Sequence, residues 1–299
     1  DGILNDVEGR GYGDIHVFGR RMKTWVTLDA LAKDAAVTLP FTGVRYYFTD
    51  TIRMDTNSID LDHIRLRDAE GHKALLNGRL THEVNFTNFR YGMNIDCDHI
   101  LALDLPYDPQ SLFYGHVYAS GHVGVSGDDR ALNVSIQGKT EGNSHFYLST
   151  ATAAAAKDNS FISFQSAAER EQQVSSDGKK AVVPKQTNAT THLSMALDIT
   201  PDATIHLMMD PHNGNGLTGR GDGSVRLDMV DEAVQMVGTY TLQSGTVSYS
   251  LANVVRRNFE IVEGSSLLWS GDATNPNLNV TARYRVTASL RDLFGSDAA

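Results

Sequence analysis

Hydrophobic alternation at period two, repeated through the C-terminal third of the chain, constrains this fold more than any other feature. Residues 191–200 read THLSMALDIT, so Leu193, Met195, Leu197 and Ile199 share one face while Ser194, Ala196 and Asp198 share the other. In 224–230, Val225, Leu227 and Met229 alternate with Arg226 and Asp228, and LNVTARYRV at 278–286 gives Val280, Ala282 and Tyr284 a common face. The same period pairs Ile205 with Leu207, Val234 with Met236, and Tyr240 with Leu242. Such alternation marks strands with one apolar and one solvated face. Its persistence without helical patterns predicts one continuous all-β sheet.

Upstream, short strand-like runs follow one another from Ile15–Phe18 to His145–Leu148, separated by Asp68, Gly71, Gly78, Gly121, Gly127 and Gly142 as turn residues. Ala151–Ala156 permits a short helix or a strand-end loop. Residues 167–190 (AAEREQQVSSDGKKAVVPKQTNAT) are polar and without apolar period, so they are expected to form a mobile insertion. The expected organisation is therefore 1–166 as the N-terminal part of the sheet, 167–190 as the insertion, and 191–299 as the C-terminal part. About 18 to 22 strands at roughly 4.8 Å each make a ribbon about 85 to 105 Å long. A flat ribbon of that size exposes too much apolar surface, so it has to close, pair or curl.

Composition removes several functions. With 36 acidic against 26 basic residues and a net charge of −10, the chain lacks the basic field that nucleic-acid binding requires. The single Cys97 rules out an internal disulfide framework and reads as a small buried hydrophobe. No apolar run reaches the roughly 18 residues of a membrane-spanning helix, and Asp1 begins mid-pattern, so the chain is expected to be a fragment with any anchor outside it.

Catalytic and cofactor motifs are suggested and rejected. Gly214, Gly216 and Gly219 spell G-x-G-x-x-G, but a strand at Val225 follows where a nucleotide fold needs a helix, so a glycine-rich β connection is expected. Arg220–Asp222 forms an RGD tripeptide in the same stretch, too short to claim receptor binding. Asp96 and Asp98 alternate with Cys97 and His99, which splits that apparent ligand set between two faces. Asp60, Asp62 and His63, and Asp210 with His212, lack the spacing of a ligand motif. No carboxylate pair is singled out for glycoside hydrolysis, and the sequons at Asn85, Asn133, Asn188 and Asn279 read as coincidence. No metal, no cofactor and no enzyme activity are expected.

Residues 238–286, GTYTLQSGTVSYSLANVVRRNFEIVEGSSLLWSGDATNPNLNVTARYRV, resemble the C-terminal domain of the TamB translocation and assembly module family. The matching pieces are the run Gly238–Tyr249, Phe259-Glu260-Ile261 ahead of Gly264, Trp269-Ser270-Gly271-Asp272, Pro276, and the alternating Leu278–Tyr284. The likeness extends upstream through Thr200–Ala203, Gly219–Gly223, Phe113–Gly115 and Asp68–Leu80, covering the chain from about Leu61 in the manner of Bacteroidetes-type members. It implies a periplasmic protein held in the inner membrane, whose β-strands curl into an elongated taco-like trough with a hydrophobic interior. Members are similar to AsmA-like and bridge-like lipid-transfer proteins. They are associated with phospholipid transport and with a TamA-like Omp85-type barrel partner in outer-membrane assembly, a contact expected at or beyond the C-terminus.

The residues independently admit the same reading: a non-enzymatic conduit whose groove is lined by Leu193, Met195, Leu197, Ile205, Leu207, Val225, Leu227, Met229, Val234, Met236, Tyr240, Leu242, Val280, Ala282 and Tyr284. Each acyl CH₂ removed from water contributes about 0.8 kcal/mol. A closed sandwich core made of the same residues is the rival. An assembly factor that templates client strands by β-augmentation, and an outer-membrane barrel with its apolar face outward, are the alternatives.

Overall fold

The computed structural model describes residues 5–20, 23–109, 111–149, 190–210, 213–230, 233–251 and 255–285. Among them the chain is all β, with 18 strands in one sheet and no helix. In chain order these are β1 (Asn5–Arg20), β2 (Lys23–Leu39), β3 (Val44–Met54), β4 (Ser58–Asp60), β5 (Ile64–Arg67), β6 (Lys73–Glu83), β7 (Thr87–Leu105), β8 (Phe113–Asp128) and β9 (Ala131–Thr140). Then come β10 (His145–Ser149), β11 (Thr190–Ile199), β12 (Thr204–Asp210), β13 (Asn215–Val230), β14 (Ala233–Leu251), β15 (Val255–Ile261), β16 (Ser265–Gly271), β17 (Asn277–Asn279) and β18 (Ala282–Arg283).

The pairings arrange these strands as successive rungs of a ribbon. Antiparallel neighbours run β1–β2–β3, then the half-length β4 and β5, then β6–β7–β8. Next, β9 and β10 share one edge of β8, because β7 occupies its other edge. β11 and β12 likewise share one edge of β13, opposite β14. The pairings thus close a circuit of six strands, β8–β9–β11–β13–β12–β10, built from two half-length rungs laid end to end.

The join inside that circuit is parallel: β9 runs with β11, and β10 with β12. Parallel neighbours need a long crossover, since the chain must return to the end from which it started. The chain between Ser149 and Thr190 makes that return, and it contains the polar stretch expected to be an insertion. Residues 150–189, with the helix-permissive Ala151–Ala156 and nearly all of 167–190, lie outside the described residues.

Most strands are longer than the sequence runs suggest. Tyr91–Ile95 and Ile100–Leu105 belong to one strand, β7, and Gly78, Gly121 and Gly127, expected at turns, lie inside β6 and β8. Backbone pairing carries a strand through any residue its neighbours can flank, so a glycine or aspartate need not end it. Asp68, Gly71 and Gly142 do lie between strands. The largest departure is LNVTARYRV, which is not one strand. β17 pairs with β16 and β18 with β15, and the chain crosses the gap between those partners at Thr281. There Thr281 donates its N–H to Ser265 Oγ and accepts from the Val262 N–H.

The sheet is curled. Apolar side chains from β10 to β16 meet in one buried cluster that includes Leu148, Leu207, Leu217, Tyr240, Leu242, Ile261, Leu267 and Trp269. At the other end, the Tyr46 hydroxyl of β3 donates to the Leu101 carbonyl of β7, spanning the short rungs between them at 2.8 Å.

Candidate functional site: a continuous apolar face

The registers place side chains of successive rungs directly opposite one another, so rows on the apolar face can be followed across the ribbon. One runs Ile64–Leu76–Ile95–Val123–Ile136–Met195–Leu227–Met236, from β5 to β14. All eight residues are apolar. Eight rungs span about 34 Å at roughly 4.8 Å per step. A second row runs Met93–Val125–Val134–Leu193–Met229–Val234 alongside it.

Burial divides this face into two lanes. In the first row only Ile64 is fully buried and the other seven are half-buried, whereas the alternating neighbours Asn94, Asp96, His122, Ser135, Gln137 and Arg226 are exposed. A face packed against a second sheet would bury the whole row. The other lane is filled. Leu148, Leu207 and Leu217 form a cross-strand row that is buried throughout, beside Tyr240, Leu242 and Leu267, each 0 % exposed.

Glycines make that filling possible. Gly219, Gly221 and Gly223 occupy successive apolar-face positions of β13, where a methyl group on Gly219 would collide with Leu242 Cδ2 and one on Gly223 with the Thr239 carbonyl. Tyr240 lies opposite Gly223 and Leu242 opposite Gly221, and the Tyr240 hydroxyl donates to the Gly219 carbonyl at 3.4 Å. Burial, with Asp222 nearby, pushes that hydroxyl's pKa far up. The G-x-G-x-x-G is therefore strand interior for most of its length, not the expected connection, and no helix follows it. Arg220 and Asp222 of the RGD tripeptide are on the exposed face, bonded to Thr204 and Gln243.

The structure brings thirteen of the fifteen expected groove residues onto this face and separates them by burial. Ile205, Leu207, Val225, Tyr240 and Leu242 belong to the sealed cluster, with Met236 and Val280 packed against it. Leu193 and Met229 are buried as a cross-strand pair, while Met195, Leu197, Leu227 and Val234 are half-buried. Ala282 and Tyr284 are exposed, because the strand that was to orient them is broken at Thr281; Tyr284 packs on Phe259 at a 5.4 Å ring separation. Ile64, Leu76, Ile95, Val123 and Ile136 were missed. Their alternation is visible in the sequence, but only the register joins them to Met195 and Leu227.

Cys97 lies on the same face, opposite Ala74 and Gly121. It is half-buried, and burial together with Asp96 pushes its thiol up to about 11. The acidic candidates are tied up on the other face: Asp96 holds His122 Nδ1 at 2.8 Å and Asp60 holds Arg79 at 2.6 Å. Among the described residues no group of three histidines, cysteines or carboxylates is placed to hold a metal ion. His212 lies outside them.

The TamB C-terminal domain model matches residues 62–298, about four-fifths of the chain. The chain belongs to the TamB family. The match begins at the rung that opens the apolar row and covers every strand from β5 onward. TamB membership associates the chain with the cell envelope and with outer-membrane assembly or lipid transport. No curated protein and no solved structure matches the chain. Among the described residues no helix is long and apolar enough to cross a membrane.

Proposed function

We propose that this TamB-family chain is a non-enzymatic lipid conduit whose half-buried lane holds phospholipid acyl chains while the headgroups stay in water. The observation that carries the reading is the unbroken apolar row from Ile64 to Met236, half-buried at seven of its eight positions. An uninterrupted row offers no polar barrier, so a bound chain gains about 0.8 kcal/mol per CH₂ anywhere along it and can slide. In this reading the protein works in the periplasm, attached to the inner membrane, and delivers to an Omp85-type barrel. Native mass spectrometry of the purified chain, followed by photo-crosslinkers at Leu227 and Arg226, tests it. Co-purified phospholipid with labelling at Leu227 alone is expected; equal labelling at both positions overturns it.

A second reading, strand templating of client barrel proteins, is favoured by β1. Among the described residues β1 pairs only with β2, and Ile15 and Val17 on it are each 63 % exposed. An unpaired edge with exposed apolar side chains invites another strand. Capture of unfolded barrel strands by lipid-free protein, abolished by a proline at Ile15, would favour this reading over the conduit.

A further inference from the structure

We propose that Tyr240, Leu242 and Leu267 are a built-in plug that closes one lane of the apolar face and thereby sets how much lipid it holds. The inference rests on the conduit reading and goes beyond it, because it assigns the expected groove residues to two different roles. Met195, Leu227, Val234 and Met236 are contact residues, whereas Tyr240 and Leu242 exclude cargo.

Three observations converge on the plug. The three side chains are fully buried although they lie on the same face, and opposite the same rungs, as the half-buried Leu227 and Met236. The strand beneath them carries glycine at three successive apolar-face positions, which weakens a strand unless something needs the room. Tyr240 and Leu242 take that room. Finally, the Tyr240 hydroxyl is held by the Gly219 carbonyl within the cluster, so the ring is fixed across β13 rather than free to swing aside. Leu267 faces Tyr240 directly across β14 and β16 and completes the seal from the other edge.

The consequence is a face that is one lane wide at β13 and β14. Acyl chains there contact the half-buried Leu227 row but not Leu207, Leu217 or Ile205. Removing the plug joins the two lanes.

The test uses vesicles of phosphatidylethanolamine and phosphatidylglycerol containing a phospholipid with a diazirine in its acyl chain. After irradiation, adducts are mapped by peptide mass spectrometry. In the wild type, adducts are expected at Ile136, Met195 and Leu227 and at least tenfold fewer at Leu207, Leu217 and Tyr240. In Tyr240→Ala/Leu242→Ala, checked for native circular dichroism, adducts spread to Leu207 and Leu217 and lipid bound per protein rises about twofold. The milder Leu242→Ala serves if the double variant unfolds, and if both unfold the wild-type map decides. Wild-type adducts at Leu217 as frequent as at Leu227, or a folded variant with unchanged lipid content, overturn the plug and leave the conduit standing. Absence of adducts everywhere in the wild type overturns the conduit itself.

Discussion

The carboxylate of Asp68, its side chain fully buried, accepts the backbone N–H of Leu101 at 2.9 Å and so ties the β5–β6 turn to β7. The same group accepts the N–H of Glu70 and of His72, and holds His72 Nδ1 at 2.9 Å. Burial by itself raises the pKa of Asp68, but the Leu101 N–H and the His72 bonds outweigh it and hold the group below its ordinary value.

Asp68→Ala is therefore expected to destabilise the chain by about 1–3 kcal/mol, because it orphans several buried donors at once. The pH dependence follows the lowered pKa. The contribution is complete above the unfolded value of about 3.9 and is lost as pH falls through the lower folded value. Urea unfolding from pH 7 to pH 2 checks both: the gap between wild type and variant should be constant above about pH 5 and close only in strong acid. A gap that closes well above pH 5 would mean that the Asp68 carboxylate is not the group responsible.

A charge in the half-buried lane should separate binding from folding. Leu227→Arg can keep its guanidinium near water at the lane's surface, yet it opposes passing acyl chains by about 2.5–3.5 kcal/mol, roughly a hundredfold in affinity. Leu217→Arg puts the same ion in the sealed cluster, at 2 % exposure, where an unpaired buried charge costs about 3–5 kcal/mol of fold stability. Circular dichroism, thermal unfolding and lipid binding measured on both variants should show a folded non-binder and an unfolded chain, respectively. Loss of fold in both would indicate a closed core.

Cys97 provides a probe that needs no substitution. With its thiol pushed up to about 11, only about one molecule in a thousand is thiolate at pH 8, so alkylation by iodoacetamide should be slow. Cys97 packs with Leu76 and Ile95 against the buried cluster of Ile64, Leu66, Ala74 and Ile100, so its rate with and without detergent reads whether lipid covers that end of the face, and a several-fold rise on stripping lipid is the outcome the conduit reading expects. An unchanged rate would remove lipid from that part of the face.

His206 gives a second pH signature, distinct from that of Asp68. Burial lowers its pKa to about 4, with His145 adding to the shift; His145 Nδ1 lies 3.3 Å from His206 Nε2. A histidine kept neutral in the fold favours folding above the unfolded pKa of about 6.5, and that contribution is lost as pH falls from there toward 4. His206→Gln should flatten the stability curve between pH 6.5 and 4 while leaving the strong-acid limb of Asp68 in place. Calorimetry from pH 7 to pH 2 reads both limbs.

Strand identity and face were legible in the residues wherever alternation was regular. Leu193, Met195 and Leu197 face Met229, Leu227 and Val225 in the structure, as their shared period requires. Side-chain direction in a strand is a local property, fixed by the two-residue repeat. Register is not local. Ile95 and Met195 are a hundred residues apart and share one row only because β7, β8, β9 and β11 pair as they do.

The sequence by itself determined an all-β sheet with one apolar face, the absence of a nucleotide-binding helix after the glycine motif, and the family through residues 238–286. Tertiary structure decided which apolar residues are sealed and which are half-open, because burial depends on how tightly the sheet curls over each position. It also decided that Gly219, Gly221 and Gly223 lie within a strand, since the side chains that need their space, Tyr240 and Leu242, come from the next rung. Finally, it broke Leu278–Val286 into two pieces. A run with perfect alternation still follows the backbone partners it is given, and those partners part at Thr281.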